Sequence, residues 1–91
     1  MMRIETSQVD DHVTFKVEGK LCGAWVAALE ECWQAMRKQF PPEKQSVDLS
    51  DATFVDKAGW YLLRLMHREG VAVVAKGLVT QEIVDEITNN E

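Results

Sequence analysis

Basic residues are in short supply in this 91-residue chain, with ten Lys and Arg against fifteen Asp and Glu and a formal charge of -5. No basic stripe compensates, so attraction to phosphate backbones or anionic lipid is disfavoured and nucleic acid is not an expected partner. Long apolar runs are also missing. The longest spans only a few residues, and the N-terminal stretch lacks the apolar segment of a secretory signal. Neither membrane spanning nor export is expected, which leaves the cytoplasm as the default location. Cysteine is limited to Cys22 and Cys32. If Gly23 opens a helix containing Cys32, a rise of about 1.5 Å per residue places them roughly 13 Å apart, beyond disulfide reach. A metal or redox pair would need closer spacing or nearby His ligands, so both are expected as reduced thiols, with Cys32 in the core. His12 and His67 each lack a convergent carboxylate or thiolate and read as surface histidines. With no nucleophile–base pair, Gly-rich phosphate loop or metal-ligand spacing, an enzyme has little support and no cofactor is implied.

What is present suits one small folded unit over residues 1–91. Hydrophobic residues make up 46% and charged ones 27% of the chain, an ordinary balance for a globular domain with a single core. Val13, Phe15 and Val17 alternate with Thr14, Lys16 and Glu18, the pattern of a half-buried strand. Met2 and Ile4 alternate likewise before it, and Asp10 and Asp11 can turn the chain back into an antiparallel hairpin. From Gly23 to about Gln39, Trp25, Leu29, Cys32, Trp33, Met36 and Phe40 recur at helical spacing, opposite Glu30, Glu31, Gln34 and Arg37. Trp25 and Trp33 are assigned to the core. Pro41 and Pro42 end that helix. Val47 and Leu49 give a short strand, Ser50 to Thr53 a polar loop, and Lys57 to Glu69 a second helix with Leu62, Leu63, Leu65 and Met66 on its apolar side. Gly70 is placed to terminate it. Val71 to Ala75 reads as a strand covered on both faces. Thr80 can cap a last helix carrying Ile83, Val84 and Ile87, with Val79 and Val84 as a hydrophobic staple. The order ββαβαβα predicts an α/β domain: a mixed sheet of about four strands with helices largely on one face.

The segment Val47-Asp48-Leu49-Ser50-Asp51-Ala52-Thr53-Phe54-Val55-Asp56-Lys57-Ala58-Gly59-Trp60-Tyr61-Leu62-Leu63 resembles the signature of STAS domains of the anti-sigma factor antagonist type. That signature has a strand ending in Asp-Leu-Ser, an apolar pair, then Asp-Ser-Ser-Gly or Asp-Ser-Ala-Gly opening a leucine-rich helix. Val17-Glu18-Gly19-Lys20-Leu21 resembles the family's approach to its first helix, and Gly70 with the following valines resembles its last strand, so the likeness covers roughly residues 2 to 88. The resemblance implies a non-enzymatic protein-interaction module that binds an anti-sigma factor or ATPase-like serine kinase. In such antagonists the serine before the motif glycine is phosphorylated. Here that position is Ala58, preceded by Lys57, so the standard phosphoswitch cannot operate. A second implied reading is the STAS subunit of a phospholipid-transport-type ABC system, docked on its transporter ATPase.

The same turn can be read physically. A strand end delivers the chain to a helix N-terminus whose first backbone N–H groups lack intrahelical partners. Asp56 is a suitable cap, and Val55 and Trp60 then fall at staple positions. Lys57 opposes the helix dipole at about 0.3–1 kcal/mol when exposed. Either Asp51 and Asp56 neutralise it on a solvated surface, or it takes part in partner selection. Trp60, Arg64 and His67 line up at helical spacing. Trp60 either presents an indole surface suited to an interface or staples the loop. The expected docking face is therefore Asp56, Lys57, Ala58, Gly59 and Trp60. Ser50 and Thr53 are alternative phosphate acceptors. Asp48, Asp51 and Asp56 lie close in sequence, as a cation site would require, but an interaction loop explains them more simply. Trp60 and an exposed edge strand are also candidate contacts for a homodimer.

Overall fold

The computed structural model describes residues 3–89, with no side-chain detail at 78, 79 and 89. Its elements are β1 (Arg3–Val9), β2 (His12–Leu21), α1 (Ala24–Met36), a short 3-10 turn (Pro42–Lys44), β3 (Gln45–Val55), α2 (Lys57–Arg68), β4 (Ala72–Val74) and α3 (Leu78–Asn89). The strands form one sheet in the order β1-β2-β3-β4, with β1 antiparallel to β2 and the other neighbours parallel. The expected ββαβαβα architecture is the observed one. Met2 of the expected first strand and the Val79 side chain of the expected staple lie outside what is described.

Alternation in β2 sets the two faces of the sheet. Val13, Phe15, Val17 and Leu21 are completely buried, as are Val47 and Leu49 of β3, against Leu29 and Trp33 of α1, Leu63 and Met66 of α2 and Ile87 of α3. The opposite face is cross-linked by exposed charges, Arg3 to Glu5 and Glu18 and Lys16 to Asp51, with separations of 3.1, 3.7 and 3.2 Å. Such pairs add little stability and chiefly keep that face compatible with water. The hairpin turns at Asp10, whose φ of 55° is a left-handed value that a short polar side chain tolerates.

Several local expectations need correction. Residues 50–53 are strand, because β3 continues to Val55 along β2, absorbing extra residues where the register shifts between Lys16 and Glu18 and between Gly19 and Lys20. Each shift is a bulge that lets a polar strand keep its ladder while re-aiming its side chains. Trp25 is 46% exposed. It extends the Leu29–Trp33 row into the first turn of α1, beside the exposed Gly23 and Ala24, where the core does not reach. Cys32 is half-buried at the core margin and both cysteines are free. Ala72 and Val74 are exposed and only Val73 is buried, because β4 is an edge strand in a sheet covered on one face. The last helix begins at Leu78, ahead of Thr80, whose hydroxyl reaches back to the Gly77 backbone at 3.2 Å.

The C-terminus of α2 closes as expected. Gly70 adopts φ 108°, its N–H donates to His67 O, and the Val71 N–H donates to Met66 O, both at 3.0 Å. That pairing is a Schellman motif, with the buried Val71 and Met66 supplying its apolar contact.

Candidate functional site

The parallel strands β2 and β3 end side by side, with Leu21 opposite Val55, and each feeds a helix within three residues. Asp56 ties these two exits together. Its N–H donates to Leu21 O at 3.0 Å, Oδ1 accepts the Gly59 N–H at 2.7 Å, and Oδ2 accepts the Gly23 N–H at 3.1 Å. A single carboxylate thus caps α2 and pins the loop before α1, where Gly23 sits at φ 57°. Aspartate suits this position because both oxygens accept and the charge favours a helix N-terminus.

Gly59 is fixed by space. A Cβ there would lie 3.0 Å from Val55 Cγ1, 3.1 Å from Leu21 O and 3.2 Å from Leu21 Cγ. Its absence lets the first turn of α2 rest on the ends of both strands. Of the five residues expected to form the docking face, Asp56 and Gly59 are therefore occupied in building the turn itself. Lys57 and Ala58 are the ones exposed to solvent. Lys57 makes no ion pair among the described residues. Asp51 is engaged by Lys16, and both oxygens of Asp56 are used by backbone donors. Neutralisation of Lys57 by those two carboxylates is accordingly not what the geometry provides.

Trp60 is half-buried against the core and flanks an open groove of about 470 Å³ with Val55, Asp56, Lys57, Tyr61, Ile83 and Glu86. The Arg64 guanidinium lies over its ring at 5.4 Å, and Tyr61 meets it edge-on, also at 5.4 Å. Trp60 is thus mainly a packing element, and the aromatic that faces water is Tyr61, 56% exposed, with Leu65 one turn on at 46%. The sequence reading missed both, placing Leu65 on the apolar side. Counting from the Asp56 cap would have found them: Gly59, Leu62, Leu63 and Met66 point inward, so positions 57, 58, 61, 65 and 68 point out.

The three neighbouring aspartates serve different tasks, and no group of three metal-ligating side chains occurs among the described residues. Asp48 Oδ1 accepts both the Ser50 hydroxyl at 2.6 Å and the Ser50 N–H at 2.9 Å. Burial pushes its carboxyl pKa up, but the Ser50 hydrogen bonds and the charges of Lys16 and Lys76 outweigh this and hold it below the ordinary 3.8. Ser50 Oγ also accepts the Lys76 N–H at 3.0 Å, so its hydroxyl is engaged on both sides, whereas Thr53 is exposed on β3. His12 is half-buried, with Nε2 2.7 Å from Ser46 Oγ, and His67 is half-buried on α2.

No protein-family sequence profile matches the chain, and no match is found among curated proteins. Solved structures do match its fold. The anti-sigma factor antagonist SpoIIAA in its unphosphorylated form superposes with a TM-score of 0.70 at 12% identity, over 92% of this chain and 83% of that one. An uncharacterised protein of the DUF3478 family with a SpoIIAA-like fold, from Shewanella loihica PV-4, gives 0.57 at 24% identity over 98% and 76%. The crystal structure of Mglu gives 0.59 at 16% identity, covering 80% of this chain but only 19% of the other. The fold is therefore SpoIIAA-like, as the STAS resemblance implied, and at these identities the likeness speaks to fold alone. No helix among the described residues is long and apolar enough to cross a membrane.

Proposed function

We propose that this chain is a non-enzymatic protein-interaction module of the anti-sigma factor antagonist type. It docks an anti-sigma factor or an ATPase-like serine kinase through the start of α2, without a serine phosphoswitch. The observation that carries this reading is the doubly anchored Asp56 turn, which holds Lys57 and Ala58 outward on a rigid frame where the STAS signature places its docking loop. Rigid presentation lowers the ordering cost of association. With Ala58 at the switch position, binding corresponds to a permanently unphosphorylated state.

Affinity capture from the native host, with the bait's intact mass read alongside the bound proteins, tests the proposal. Recovery of an anti-sigma factor or ATPase-like kinase with unmodified bait is expected. A bait heavier by one phosphate, at Ser50 or Thr53, with altered binding would overturn the unswitched reading. Recovery of transporter ATPase subunits would assign the chain instead to the phospholipid-transport type.

A further inference from the structure

We propose that a second copy of this chain docks reciprocally across the groove between α2 and α3, and that this self-association covers the start of α2 when no partner is bound. The covering role rests on the α2 start being a docking face; the self-association does not. The groove is walled by Lys57, Trp60 and Tyr61 of α2 and by Ile83 and Glu86 of α3, and is closed by Val55 and Asp56. Lys57 on one wall and Glu86 on the other are both exposed. Neither makes an ion pair among the described residues, with the other or with any third group. Most other charges nearby are engaged. Both Asp56 oxygens take backbone donors, Glu69 is held by Arg37, Asp85 accepts from Gln81, and Arg64 and Arg68 have partners of their own. Glu82, one turn before Glu86, is not part of the groove lining.

One unpaired cation and one unpaired anion on opposite walls make the groove self-complementary. A two-fold axis running along it lays α2 of each copy on α3 of the other, so that Lys57 meets the second copy's Glu86 and Glu86 meets its Lys57. A second copy necessarily carries the two charges at the same separation, whereas a partner surface of either single sign leaves one of them uncompensated. Tyr61, 56% exposed and the only tyrosine of the chain, is carried by the same rotation onto the half-buried Ile83 of the other copy. The contact is small. Two twelve-residue helices, each about 18 Å long, offer less than the roughly 800 Å² per partner of a stable complex, and the charge of -5 on each copy opposes association. A weak dimer of this kind gives way readily to a partner. Because it engages Lys57 beside Ala58, protein concentration takes over control of access at a turn where Ala58 offers no hydroxyl to phosphorylate.

The test is sedimentation equilibrium of the intact chain over rising concentration, with two single variants and their mixture. The parent is expected to approach the dimer mass, and Lys57→Glu and Glu86→Lys should each weaken self-association about tenfold or more. Mixed in equal amounts the two variants should recover it, because every charge contact in the mixed dimer again joins opposite signs. Both positions are exposed, so the circular dichroism melts should barely change. A parent that stays monomeric at every concentration, single variants that associate as the parent does, or a mixture without recovery would overturn the self-association. The covering role is read separately, by capture of an anti-sigma factor or ATPase-like kinase from the native host. At equal bait concentration Glu86→Lys should retain more of it than the parent does, and equal capture would overturn the covering role. Capture by neither bait would sink the docking face, and the covering role with it, while the dimer stands or falls on the sedimentation result.

Discussion

α1 and α2 cover the same face of one sheet but are secured by different means. α1 starts at Gly23 with no side-chain cap and ends in an irregular turn, where the Gln39 and Phe40 N–H groups both reach Met36 O. Its place is set by packing, through the buried Leu29 and Trp33. α2 is fastened at both ends, by the Asp56 cap and the Gly70 Schellman turn, and it also buries Gly59, Leu62, Leu63 and Met66. The difference shows how a small domain can fasten one helix at both ends by hydrogen bonds while its neighbour is held by packing alone.

The sharpest way to break this contrast is through the core. Trp33→Ala removes a side chain only 1% exposed and should cost about 3–5 kcal/mol in urea unfolding. A small effect would mean that α1 is not held by packing. Gly59→Ala should cost about 1–3 kcal/mol, because the new methyl presses on Val55 and on the backbone oxygen of Leu21, which can give way only by moving a strand end. Asp56→Ala should cost about 0.5–2 kcal/mol for the lost cap. Asp56→Asn refines this test. Its amide oxygen can still accept the Gly59 N–H, but its NH2 cannot accept from Gly23, so it should restore α2 while leaving the loop before α1 loose in hydrogen exchange. Trp25→Ala, on exposed surface, should stay within about 0.5 kcal/mol of the parent.

Those same contrasts show what was legible in the sequence. The element order, hairpin, Asp56 cap and Gly70 stop could be read because each rests on local rules: alternation, a capping side chain, a glycine free of Cβ strain. Trp25, Leu65 and the sides of β4 could not, because exposure there depends on where the sheet ends and which face the helices leave open. Residues 50–53 look like a loop by composition, yet pairing with β2 makes them strand. At the candidate site, Asp56 and Gly59 were found by motif but assigned to contact. The geometry ties them into the turn itself, and leaves Tyr61 and Leu65 exposed further along α2.

The smallest expected effects are electrostatic. The Lys44 hydrogen bond and charge lower the Asp11 pKa, and Asp48 is lowered on balance as well, so both hold protons less tightly when folded. Their contribution is present above the ordinary 3.8 and lost as pH falls through the lower folded values, so the melting temperature should drop in strong acid. Ser50→Ala should move the Asp48 carboxyl titration upward, read by NMR. The Lys16 and Lys44 pKa values are raised by the hydrogen bonds the two ammonium groups donate to Asp51 and Asp11, so their contribution is present below the ordinary 10.5 and fades as pH rises through the higher folded values.

The most direct measurement compares partner capture by the parent chain, by Ala58→Glu at the start of α2 and by Ser7→Glu on the exposed strand β1. With all three showing the same melt, Ala58→Glu should lose the partner about tenfold or more while Ser7→Glu retains it. Retention by Ala58→Glu, or loss only by Ser7→Glu, would contradict docking through α2.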